Sequence, residues 1–120
     1  MASTTEIGKK GEAYALQYLR RKGYKILAVN WYYQKKELDI VARQNDTLVV
    51  IEVKTRKKDG FESPKEAVTR KKQRMIIKAA NAYVTENEMD LEVRFDIVEV
   101  IISGKMHEIE HIEDAFYPLL

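Results

Sequence analysis

Cysteine is absent from the 120 residues, which removes disulfide scaffolds, Cys-ligated zinc, iron-sulfur clusters and thiol nucleophiles together. Imidazoles are scarce, with His107 and His111 the only two. Their four-residue spacing would imitate a zinc half-site on a helix. The surrounding pattern is strand-like, however, and offers no third ligand of the right type, so both read as surface histidines. No run of about 18 apolar residues occurs, and the first five residues, MASTT, contain no basic stretch leading into an apolar one. Membrane association and secretion are therefore not expected, and a cytoplasmic location is. Two prolines, five glycines and no low-complexity linker leave room for one domain over residues 1–120.

Charge is abundant but segregated. The net charge is +2, yet residues 54–78 carry ten basic and three acidic groups while residues 79–120 carry two basic and ten acidic. A basic block in a nearly neutral domain predicts one face that attracts phosphates; the plainer alternative is a solvated helix face.

Ser3, Thr4 and Thr5 offer helix N-caps. Ile7, Gly11, Tyr14, Ala15, Tyr18 and Leu19 then form a stripe at three- and four-residue spacing, which predicts a helix ending near Gly23. Residues 24–33, 37–43 and 47–54 read as strands, with a turn at Gln44-Asn45-Asp46. Ser63-Pro64 reads as a helix start, and residues 67–84 carry helical apolar spacing. Two more strands follow, at 91–102 and around 106–112. The order predicts an α/β or α+β fold: a mixed sheet of about five strands with helices packed on it.

The chemistry-bearing residues lie on the middle strands. Alternation sends Leu48, Val50, Glu52 and Lys54 to one face and Val49, Ile51 and Val53 to the other. A two-residue hairpin at Asn45-Asp46 pairs residues whose numbers sum to 91, setting Asp39 opposite Glu52. Two carboxylates so placed repel, and a divalent cation with oxygen ligands is the natural compensation, Lys54 adding a positive charge further along the face. Such a cluster supports metal-assisted phosphodiester hydrolysis. Glu12, bordering the apolar stripe of the first helix, is a candidate to complete it. A same-face Glu52–Lys54 ion pair on a solvated strand is the plainer alternative, but Leu48 and Val50 put these charges at a core edge, where unpartnered carboxylates are costly. Alternation sends Trp31 and Tyr33 to one face and Tyr32 to the other, which predicts core packing for part of this aromatic cluster. Asp96 and Glu99 receive no chemical role.

Several motifs in one order, namely Gly8-Lys9-Lys10-Gly11-Glu12, Tyr18-Leu19 with Gly23-Tyr24, Glu37-Leu38-Asp39-Ile40, Val50-Ile51-Glu52-Val53-Lys54, Pro64 with Glu66-Ala67-Val68, and Arg94-Phe95-Asp96, make the chain resemble the YraN family. That family looks like a minimal version of the PD-(D/E)xK nucleases with a restriction-endonuclease-like core. The resemblance implies a metal-binding pair Asp39 and Glu52, a catalytic Lys54, and a Glu12 similar to the helix glutamate of archaeal Holliday junction resolvases. It also implies that Gln73 is the glutamine some superfamily members carry beside the active site. The chain departs from the pattern at Lys36, where glycine is usual, and at Tyr32, where arginine is common.

The basic block adds Arg56, Lys57 and Lys58 beyond Lys54, then Arg70, Lys71, Lys72 and Arg74 on the second helix, as phosphate contacts. Phe61, between them, reads as a hydrophobic loop anchor, with stacking on an unpaired base as the alternative. The expectation is thus an endonuclease using Mg²⁺ or Mn²⁺ on DNA, branched or structured DNA included, with nucleic acid as partner and, by analogy with resolvases, a homodimer. The alternatives are a non-catalytic nucleic-acid-binding module that keeps the nuclease fold, and a protein-interaction subunit using the acidic C-terminal third.

Overall fold

The computed structural model describes residues 4–58 and 68–118. Helix α1 (Thr4–Arg21) ends where Gly23 adopts a φ of 90°, with the Gly23 and Tyr24 amides closing on the carbonyls of Arg20 and Leu19. Strands β1 (Lys25–Tyr33), β2 (Lys36–Gln44) and β3 (Thr47–Lys57) follow, then helix α2 (Arg70–Glu86) and strands β4 (Glu92–Ser103) and β5 (Met106–Phe116). The succession of helix, three strands, helix, two strands is the one expected from the sequence. Two-residue turns join β1 to β2, β2 to β3 and β4 to β5, using positive φ at Gln34, Asn45 and Gly104.

The start of α2 corrects the sequence reading. Ser63, Pro64 and Ala67 lie outside the described residues, while Val68 and Thr69 are not helical. Thr69 is extended (φ −63°, ψ 160°), and its hydroxyl accepts from the Lys72 amide at 3.1 Å, so this threonine caps a helix beginning at Arg70.

The strands form one sheet in sequence order, antiparallel except for the parallel pair β3–β4, an α+β arrangement consistent with a restriction-endonuclease-like core. The two helices cover opposite faces. Against α1, Ala15 and Leu19 pack on Ile40, Ala42, Val49, Ile51, Val98 and Val100. Against α2, Ile76, Ala79, Ala80 and Tyr83 pack on Leu38, Val41, Leu48, Val50 and Phe95. Covered on both faces, β3 opens as the unbroken apolar run Leu48 to Ile51, as buried strands do. Trp31 stands edge-on to Tyr83 in the α2 core while Tyr32 is exposed, matching the expected split of that cluster. None of the described helices is long and apolar enough to cross a membrane.

Close contact between α1 and β3 depends on Gly11, where a Cβ would overlap the Thr55 side chain; at Gly8 a Cβ meets nothing within 4 Å. In an exposed helix, Gly→Ala stabilises by up to about 1 kcal/mol. Urea unfolding should show that gain for Gly8→Ala and the opposite for Gly11→Ala, a loss of about 1–3 kcal/mol from overpacking. Equal gains at both positions would overturn the proposed α1–β3 contact.

Candidate functional site

The β2–β3 register that places the acidic residues is the expected one: pairs run from Gln44↔Thr47 to Ile40↔Ile51, all summing to 91. One step beyond, the backbone ladder gives way to a side chain, for the Asp39 carboxylate accepts the Val53 amide at 2.8 Å. The alternation of β2 breaks here, since Leu38 enters the α2 core and Ile40 the α1 core although they are two residues apart. On β1, the paired positions Val29 and Trp31 flank Asn30, whose φ is 52°. The sheet thus deforms at the level of Asp39, turning its carboxylate toward β3.

Glu52 follows Val50 onto the α2 face. Burial and the Glu52 carboxylate together push Asp39 up to about 7, opposed by the Val53 amide and by Lys36. Lys36 reaches Glu52 at 3.3 Å, so the pairing the sequence suggested for Lys54 belongs instead to the residue that departs from the family pattern. Among the described residues Lys54 makes no ion pair. Its neighbour in register on β4 is Glu99, 4% exposed, which bonds Arg56 at 3.6 Å. Glu99 is therefore a third carboxylate on this face that the sequence reading passed over. The register of a parallel pair joined by a long crossover cannot be read from a turn.

Glu12 sits half-buried on α1. Burial raises its pKa, the Asn30 side chain that bonds it lowers it, and Glu37 raises it again. Its influence on Asp39 is the weakest of those acting there. Gln73, in the first turns of α2, donates its amide to the Val68 carbonyl at 2.9 Å and so braces the approach to the helix. Of the basic block, Lys57, Arg70, Lys71 and Arg74 are exposed, Lys58 pairs loosely with Glu108 at 3.7 Å, Lys72 is half-buried and Arg56 is held by Glu99. Phe61 lies outside the described residues.

Hard oxygen donors on adjacent strands, with one carboxyl raised by its neighbour, suit Mg²⁺ or Mn²⁺. Asp39 and Glu52 could hold such an ion, with Glu12 at its border. A tighter donor set lies elsewhere: Asp96, His111 and Glu113 have ligand atoms within 4.8 Å of one another. That set is already bridged by a cation, because Arg94 donates to both Asp96 oxygens at 2.9 Å and to Glu113 at 3.3 Å. His111 Nε2 lies 2.7 Å from Asp96 and its Nδ1 2.8 Å from the Tyr18 hydroxyl. The expectation of surface histidines holds for exposed His107 and fails for His111, 8% exposed, which the buried Asp96 draws inward.

Asp39 makes stability depend on pH. Its folded pKa of about 7 exceeds the ordinary 3.8, so the stability that its protonated form contributes is fully present below about pH 4 and is lost as pH rises through 7. Asp39→Asn keeps an acceptor for Val53 without the charge. In urea unfolding it should match the wild type near pH 4 and exceed it by about 1–3 kcal/mol at pH 8. A constant difference across that range would remove the carboxylate tension.

Residues 11–100 match the model of the uncharacterised protein family UPF0102. The chain is 52% identical over 118 residues to a UPF0102 protein of Phocaeicola vulgatus, 49% over 117 residues to one of Christiangramia forsetii, and 47% over 117 residues to one of Flavobacterium psychrophilum. Each alignment covers 98% of this chain and 98% of the relative. With a match of this length, and the motif order noted in the sequence, the chain belongs to the UPF0102 family, the YraN proteins.

Proposed function

We propose that the protein is a metal-dependent endonuclease that hydrolyses DNA phosphodiester bonds, structured or branched DNA included. The observation that carries this reading is the meeting of Asp39 and Glu52 on adjacent strands, where the Val53 amide fixes one carboxylate and the other raises its pKa, with Lys54 on the Glu52 face. Asp39 and Glu52 would hold Mg²⁺ or Mn²⁺, and the bound ion supplies polarisation of a phosphoryl oxygen and a more acidic water. Lys54 would orient the attacking water and offset the charge that grows on the phosphoryl oxygens as the new P–O bond forms and the ester P–O bond breaks. Gln73 braces the start of α2 through the Val68 carbonyl, and exposed Lys57, Arg70, Lys71 and Arg74 would supply backbone contacts that carry no sequence information. Two such sites in a homodimer would serve two strands.

A second reading, a nucleic-acid-binding module without catalysis, draws on one observation: the Lys36 ammonium lies 3.3 Å from Glu52 and already supplies part of the balancing charge.

The test is cleavage of single-stranded, duplex, flapped and four-way-junction DNA in Mg²⁺ and in Mn²⁺. The wild type should cut, Asp39→Ala should not, and Lys54→Ala should be slower by about 10²–10³-fold, the usual cost of losing one charge-stabilising group. Equal cutting by wild type and Lys54→Ala would assign the activity to a contaminant. If no variant cuts while Glu52→Ala binds DNA as tightly as the wild type or tighter, the second reading replaces the first. Lys36→Ala should tighten Mn²⁺ binding in calorimetry on the nuclease reading, since the ion and the ammonium compete for Glu52.

A further inference from the structure

A groove of about 360 Å³ runs along the outer side of α2, lined by Arg70, Gln73, Arg74, Ile77, Lys78 and Tyr117 among others. Its composition differs from that of the acidic site. Arg70, Arg74 and Lys78 stand four residues apart on consecutive turns, so their charges follow one line along the helix. All three are exposed, and none makes an ion pair with another described residue. Across the groove Tyr117, just past the end of β5, is 64% exposed, and its ring has no stacking partner among the described residues. Tyrosine so exposed beside an unbroken cationic line is poorly explained by folding, because Phe116, its neighbour, already fills the core against Phe95.

Regularly spaced cations beside an aromatic face match the repeating phosphates and bases of an unpaired strand. A base inside a duplex hides its faces in the stack, whereas an unpaired base can lay its own on a ring while its phosphates meet the cations. We infer that the Arg70–Arg74–Lys78 line and Tyr117 form a binding groove for single-stranded nucleic acid, with a base stacked on Tyr117. The groove shares Arg70 and Arg74 with the phosphate contacts of the nuclease reading. This inference rests on the nucleic-acid reading above and refines its substrate to one with an unpaired stretch.

Fluorescence anisotropy with the full chain tests it, in EDTA so that cleavage plays no part. The probes are a labelled oligothymidylate and an abasic oligomer of the same length and charge. The wild type should bind the oligothymidylate at least about fivefold more tightly than the abasic strand, the lower end of what one stacked base contributes. Tyr117→Ala should erase that preference and Tyr117→Phe should keep it, since the ring and not the hydroxyl makes the stack. Arg74→Ala should weaken both probes alike and lower the salt dependence by about one phosphate contact. Equal binding of the two probes by the wild type, or an undiminished preference in Tyr117→Ala, would overturn the stacking site. Absence of salt-dependent binding to either probe would instead remove the nucleic-acid reading on which it rests.

Discussion

The two-residue turn at Asn45-Asp46 sets the register of β2 on β3, and the rest of the molecule depends on that register. A slip of one residue would send each side chain of β2 to the opposite face relative to β3. In the register observed, Ile40 and Ala42 join Val49 and Ile51 beneath α1, while Val41 joins Leu48 and Val50 beneath α2. Both cores therefore favour the same alignment. The turn tolerates it because asparagine reaches the positive φ that a tight hairpin needs more readily than most residues do. The same alignment forces Asp39 and Glu52 together, so their repulsion comes with a register that the two cores reward.

The fold contains that repulsion locally. The Asp39 carboxylate replaces the next rung of the backbone ladder by taking the Val53 amide, and the adjoining strand absorbs the deformation at Asn30 with a left-handed φ. Asparagine is again among the residues that adopt this conformation at least cost. The Asn30 side chain also bonds Glu12, which ties α1 to the deformed segment. Departures from regular sheet geometry on β1, β2 and β3 thus meet at the acidic pair.

How much of this was legible follows from the kind of contact involved. The β2–β3 register could be read because a short turn converts residue numbers into partners, and the sides of β3 because alternation requires only its own sequence. Glu99 was not legible on this face, since only the β3–β4 pairing sets it beside Lys54 in register, and a crossover of variable length sets no register. The Arg94, Asp96 and His111 network was missed because it joins Tyr18, Tyr24, Gln44 and Glu113, residues as far as 93 positions apart. One local clue existed: Arg94 and Asp96 are two apart on a strand and so share a face. Lys36 was visible as a departure from the family pattern, but its partner Glu52 could be found only with the hairpin folded. The α2 cap at Thr69 lost to Ser63-Pro64, a stronger start signal by composition. Gln73 rested on resemblance alone, and its bond to Val68 supplies a structural reason for an amide there.

Two aspartates of the same sheet differ in a way that supports the proposed role of the acidic pair. Burial pushes Asp96 upward, yet His111, Arg94 and the Asp114 amide outweigh it and hold the carboxyl below the ordinary range. Every lone-pair direction of that group is met, so its charge is fully compensated within the fold. Asp39 receives one backbone amide and faces a second carboxylate, and its pKa moves the other way, to about 7. The protein can satisfy a buried carboxylate completely, as Asp96 demonstrates. At Asp39 the nearby cation, Lys36, is shared with Glu52 and does not outweigh burial and the second carboxylate. That contrast supports the proposed function, because oxygen donors whose negative charge the fold leaves partly uncompensated are the kind that a divalent cation favours.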